Sequence, residues 1–337
     1  MAIHHFVLVL GLTLTAAAAS AQTDAPLVDE ITPFKTALVQ KLDDKQFGEL
    51  EKLEQELLSS KARFAGGDWK VFHFYEALSA GHVIESAPIE SDWINVIAAL
   101  KEWQSASPKS PVPPLLLADA ITSYAWFARG TGLAETVNEA RWSLFKDRLN
   151  QGAFYLNSSK RLSGDTNPQW HTTALVIARG LQWPRDRVDT LVKESFAVEP
   201  LYQHTYSTMA MYLLPRWFGN SGDWEQFALE TAERVGGQEG SAVYSHIVLR
   251  LSNLYGNIAF FSENDVNWRK IQWSFADQER LYGTGIEPLN AMCRLASGIN
   301  DFETARAFLK RIGDSWAPSV WRTRQNFDRM KKVIEER

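Results

Sequence analysis

The sequence predicts an all-α fold of stacked antiparallel helix hairpins, a tetratricopeptide-like α-solenoid. Three observations predict it. Apolar residues recur at one-face helical spacing from Gln22 almost to the C-terminus. Short polar turns, many holding glycine, separate these stretches. No period-two alternation runs longer than a few residues.

The first 21 residues read as a leader rather than part of the fold. Phe6 to Ala19 is an apolar run of signal-peptide length, and Ala19-Ser20-Ala21 supplies the small residues that a peptidase needs before Gln22. The run departs from the usual pattern in carrying His4 and His5 but no Lys or Arg ahead of it. Residues 22–337 then form one elongated helical-repeat domain, periplasmic or secreted, with no membrane span after cleavage.

Phe34, Ala37, Leu38 and Leu42 mark a first helix, and Phe47, Leu50, Leu53 and Leu57 a second after the Asp43-Asp44-Lys45 turn. A third begins at Asp68-Trp69 behind Gly66-Gly67, and Trp93 to Trp103 is a fourth. Ser105 to Pro114, rich in proline and serine, is expected outside regular structure and is the candidate sub-boundary. Leu115 to Arg129 is a strong helix closed by Gly130 and Gly132; Val137 to Leu156 follows, then a polar loop from Ser158 to Asn167. Trp170 to Gly180 is helical. Pro184 opens the next helix, which ends near Glu199-Pro200.

The most regular hairpin is Thr205 to Gly237. Its first helix carries Tyr206, Met209, Ala210, Leu213 and Trp217 on one face, and its second carries Trp224, Phe227, Ala228 and Val235. Asp223 with Gln226 three residues on has the form of a capping box. A last pair runs from Leu289 to Gly298 and from Asp301-Phe302 to Gly313. Trp224 and Phe302 lie 302 − 224 = 78 positions apart, close to two units of roughly 34–45 residues. Each hairpin has an apolar face it cannot bury alone, so the units must stack.

Several blocks resemble an uncharacterised bacterial family, domain of unknown function 4034. They are Ser123-Tyr124-Ala125-Trp126-Phe127-Ala128-Arg129-Gly130-Thr131-Gly132, Glu199-Pro200-x-Tyr202, Leu213-Leu214-Pro215-Arg216-Trp217-Phe218-Gly219, and Gly222-Asp223-Trp224-Glu225 with Phe227-Ala228. The quoted blocks run in order from Ser123 to Ala228, and the resemblance covers roughly Phe47 to Phe308. The resemblance implies an all-helical, tetratricopeptide-like fold and no particular activity.

Composition and motifs exclude more than they assign. With a formal net charge of −5 and no dense Lys/Arg stretch, nucleic acid is not an expected partner. Cys293 is the only cysteine, on an apolar helix face, so an intramolecular disulfide or cysteine-based zinc site is excluded. No phosphate loop, nucleophile elbow or His-Glu-x-x-His occurs, and no cofactor is expected. His73, His82, His171, His204 and His246 are never three or four residues apart, so local spacing assigns no metal site.

Candidate binding residues follow from the motifs and from the 13 tryptophans. Asp119, Ser123 and Trp126 share one helix face: a groove, the wet side of a helix, or a carboxylate paired with an arginine such as Arg129. Tyr202, Arg216, Trp217 and Trp224 complete the set. The stripes of Trp217 and Trp224 put both indoles at the closed end of their hairpin. They are read as a fold lock, with a sugar-stacking platform and Arg216 on an anion as the functional alternative. Two functions stay open: a binding or scaffolding protein holding a peptide or protein of the cell envelope, or an enzyme on cell-wall glycan or another envelope polymer.

Overall fold

The computed structural model describes residues 27–81, 88–130, 132, 134–164, 166–253 and 259–337. The expected leader lies outside these residues, as does His82. Among the described residues the chain is all-helical apart from turns and one isolated bridge between Arg63 and Trp69.

The helices are α1 Ile31–Asp43, α2 Phe47–Ser60, α3 Lys70–Glu76, α4 Glu90–Ala106, α5 Val112–Arg129, α6 Glu139–Ser163, α7 Pro168–Leu181, α8 Arg185–Val198 and α9 Gln203–Tyr212. They continue with α10 Asp223–Val235, α11 Gly237–Ser252, α12 Ala259–Glu263, α13 Trp268–Tyr282, α14 Ile286–Gly298, α15 Phe302–Ile312, α16 Pro318–Trp321 and α17 Arg324–Glu336. None is long and apolar enough to cross a membrane.

The helices sort into two layers by their burial. Helices α5, α7, α9, α11 and α14 are buried almost all round and pack against one another in succession. A helix with no wet face has to lie inside the fold. Helices α4, α6, α8, α10, α13 and α15 each bury one stripe, packing against the inner helices that adjoin them. This is a row of stacked hairpins whose inner layer is continuous.

The row bends until its ends touch. Gln278 Nε2 on α13 donates to the Gly66 carbonyl at 2.6 Å, and Gly66 N–H donates to the Gly283 carbonyl at 3.2 Å. The approach needs glycine. Gly67 sits at φ +91°, and a Cβ there would lie 2.7 Å from the Tyr282 ring. The turn before α3 is thereby held at the centre of the inner layer.

Four expected boundaries are corrected. Only Ser107–Pro111 of the Pro/Ser stretch is outside helix, because Pro113 and Pro114 occupy the first turn of α5, where backbone N–H groups have no helical partner anyway. The expected loop from Ser158 belongs to α6 as far as Ser163. There Ser158 and Ser163 return their hydroxyls to the carbonyls four residues back, and Ser159 is buried with its hydroxyl on the Pro111 carbonyl. Helix α9 stops at Tyr212, before Pro215, so Trp217 lies in the following turn. Finally, Gly222 caps α10; Asp223 instead accepts from Asn220 N–H, and Gln226 bonds Glu230 rather than closing a box.

Trp69, Trp93, Trp103 and Trp224 are all fully buried, so part of the tryptophan content is core. The stretch from Gly237 to Tyr282 forms α11 to α13.

Candidate functional site

Inner-layer polar groups converge where α3, α9, α11 and α14 meet. They line a cavity of about 210 Å³ with Lys35, Asp68, His73, Glu76, His204, His246, Arg250 and Glu287 on its walls.

Asp68 is delivered by the Gly66-Gly67 turn, pinned by Phe64 N–H to the Asp68 carbonyl at 2.8 Å and Lys70 N–H to the Ala62 carbonyl at 2.9 Å. The next residue, Trp69, donates its indole N–H to the Leu201 carbonyl at 3.0 Å, so the turn has no freedom to rotate. His204 is the second residue of α9, and its ring stacks on Phe72 with centroids 3.6 Å apart and planes 2° apart. His246 comes from the middle of α11 and meets the His204 ring edge-on at 4.9 Å.

The two oxygens of Asp68 have different surroundings. Oδ2 lies 3.2 Å from His73 Nε2, and His73 Nδ1 lies 3.1 Å from Glu76 Oε2, which also takes Lys35 Nζ at 2.8 Å. Burial alone lowers the His73 pKa, but its hydrogen bonds to Asp68 and Glu76 raise it to about 9. His73 is thus a protonated bridge between two carboxylates. Burial opposes ionisation of both, yet the His73 hydrogen bond holds Asp68 and Glu76 well below the usual carboxylate range.

Oδ1 has no hydrogen-bond partner among the described residues, and neither has His204 Nε2. The pair is 3.6 Å apart, and Oδ1 lies 3.5 Å from His246 Nδ1. Both separations are too long for a hydrogen bond. They match the edge of a tetrahedron of donors around a zinc-sized ion, about 3.4 Å when each donor is about 2.0–2.1 Å from it. The three donor atoms lie within 4.8 Å of one another. Burial keeps the His204 and His246 imidazoles neutral, the former well below its ordinary value and the latter at about 4. Two neutral imidazoles and a carboxylate form a donor set suited to a divalent transition metal. The His73–Glu76–Lys35 chain behind Asp68 is the outer support such a ligand needs.

The sequence-derived candidates divide into three groups. Asp119 and Tyr202 belong to one buried hydrogen-bond network: Asp119 accepts from Gln169 Nε2 at 3.0 Å and from the Thr173 hydroxyl, and Tyr202 OH donates to Gln169 Oε1 at 2.8 Å. Asp119 therefore pairs with amide and hydroxyl donors, not with Arg129. Trp126, Arg129 and Trp217 do converge, with Arg216 exposed beside them. Trp224 is separate, fully buried against Phe260 with its N–H on Asn264 Oδ1 at 2.9 Å. The shared closed end expected for Trp217 and Trp224 does not form, because α9 ends early and the turn carries Trp217 onto α5.

Sequence reasoning misses Asp68, His204 and His246 as a group. They arrive from a turn and two helices far apart in the chain, so no spacing rule joins them. Two local signals exist: paired glycines ahead of Asp68, and single histidines on the apolar stretches of α9 and α11.

The Asp119 network continues at the start of α7. Asn167 caps that helix through Gln169 N–H, and its Nδ2 donates to Glu54 Oε1 at 2.7 Å, as does Tyr75 OH at 2.8 Å. Burial raises the Glu54 carboxyl from 4.5 to about 7, against the two hydrogen bonds. The folded chain then keeps a proton that the unfolded chain releases, so this residue's contribution to stability falls by about 3 kcal/mol as pH rises from about 4.5 to about 7. Glu54→Gln removes that dependence. Relative to wild type, the variant gains about 3 kcal/mol between pH 5 and pH 8 in urea melts. Parallel curves for the two proteins would contradict the assignment.

Comparisons with protein-family models, curated proteins and solved structures found no match.

Proposed function

We propose that the protein is an exported helical-repeat binding protein of the cell envelope whose central pocket holds a divalent transition-metal ion of the zinc type. The observation that carries the reading is Asp68 Oδ1, unpartnered, 3.6 Å from the unpartnered His204 Nε2 and 3.5 Å from His246 Nδ1. Export rests on the leader motif ending at Ala21. Both ring nitrogens of His73 are engaged with carboxylates, so Asp68, His204 and His246 leave a coordination position for water or a bound partner.

The test is calorimetric titration of the metal-free mature chain with zinc chloride. One ion per chain with saturable heat supports the reading; absence of saturable heat would overturn it.

One observation favours an enzyme as the second reading. Glu287, raised by burial, lines the same cavity as the ionised Asp68 and Glu76. A metal with an open position beside a carboxyl whose pKa burial raises is the inventory of a metal-assisted hydrolase. Zinc-dependent release of soluble sugar from cell-wall glycan, lost in Glu287→Gln, would favour it.

A further inference from the structure

Two arginines lie over two indoles, with a third arginine beside them, where the turn after α9 meets the C-terminal ends of α5 and α7. The Trp126 and Trp217 rings meet edge to face at 5.5 Å and 90°. Arg179 of α7 lies over both, 4.8 Å from Trp126 and 5.1 Å from Trp217. Arg129 of α5 lies 5.6 Å from each and 5.3 Å from Trp142. Arg216 is exposed at the neighbouring position and adds its charge to the surroundings of Arg179.

Arg129 has a structural use, since its Nη1 donates to the Gly130 and Gly132 carbonyls at 3.1 and 3.2 Å and closes α5. Arg179 has no such use. Its Nε and Nη1 are buried and without a partner among the described residues, as is Arg129 Nε. Among the described residues no carboxylate acts on either guanidinium; Arg179 is depressed to about 10 by burial and by Arg216 and Arg129. Indole faces offset part of the cost of holding such charges together, but an anion is the missing component.

We propose that Arg129, Arg179 and Arg216 form an anion site for a phosphate group, free or as a monoester on a larger molecule. A carboxylate is satisfied by one guanidinium fork, whereas a tetrahedral dianion presents enough oxygens for several. The indoles hold the arginines rather than a sugar ring, because cations already lie over them. This site is separate from the metal pocket and stands whether or not zinc binds there.

The experiment is titration of metal-free protein with inorganic phosphate and with glycerol phosphate at constant ionic strength, read by calorimetry and thermal shift. Saturable binding is expected, weakened about tenfold or more in Arg179→Met, which keeps an apolar stem over the indoles. Arg216→Gln, an exposed change that leaves folding alone, weakens binding less. Tighter binding of glycerol phosphate identifies an ester as the natural source, and tighter inorganic phosphate the free ion. A thermal shift equal to that of chloride, or undiminished binding by both variants, overturns the site.

Discussion

Replacing His204 by phenylalanine abolishes zinc binding while the chain stays folded. The His204 ring stacks on Phe72, and a phenyl ring keeps that contact. Of the two ring nitrogens it removes, Nε2 faces Asp68 and bonds to nothing among the described residues, so its loss takes no hydrogen bond from the fold. Mutations behind a metal ligand cost about 10–100-fold in affinity, so loss of a ligand itself should cost about 100-fold or more. Glu76→Gln acts one step further out, through His73 on Asp68, and weakens binding by about tenfold. Calorimetry with zinc chloride, beside a urea melt of each variant, separates loss of donor from loss of fold. Wild-type affinity in His204→Phe would remove this histidine from the site.

The second large effect concerns the fold. Trp224→Ala should lower stability by about 3–5 kcal/mol, the range for removing a large buried aromatic. Trp224 is 1 % exposed, and its removal also strands the Asn264 side-chain oxygen that its N–H satisfies. Zinc stoichiometry at a temperature where the variant is folded stays at one, because α10 carries no donor to the pocket. Unchanged stability in urea would contradict a core role.

Much of the fold was legible from single-face periodicity and closing glycines. The outer helices carry that signal, as α15 and α10 do, because one face meets water. The inner helices α5, α7, α9 and α14 are marked as well, whereas α11 is not. Helix α11 is buried on nearly every side, so its sequence has no polar face to set a period, and its limits were not assigned. The sequence predicts too early an end for α6, because Ser158 to Ser163 has the composition of a loop while its hydroxyls return to the helix backbone.

The site was less legible than the fold, for a physical reason. A donor set assembled from the Gly66-Gly67 turn, α9 and α11 exists only after the row of hairpins has bent and closed. The family-like block around Arg216-Trp217 pointed instead to the arginine–indole cluster. Trp126, Arg129 and Trp217 do come together there, but Arg179, which lies over both indoles, is in a helix that the sequence marks only as scaffold.

The most direct measurement is X-ray absorption at the zinc edge of the protein loaded with one equivalent of metal. The account predicts two imidazoles and a carboxylate oxygen in the first shell, with the imidazole scattering reduced in His204→Phe. An all-oxygen shell, or a wild-type spectrum from His204→Phe, would contradict it.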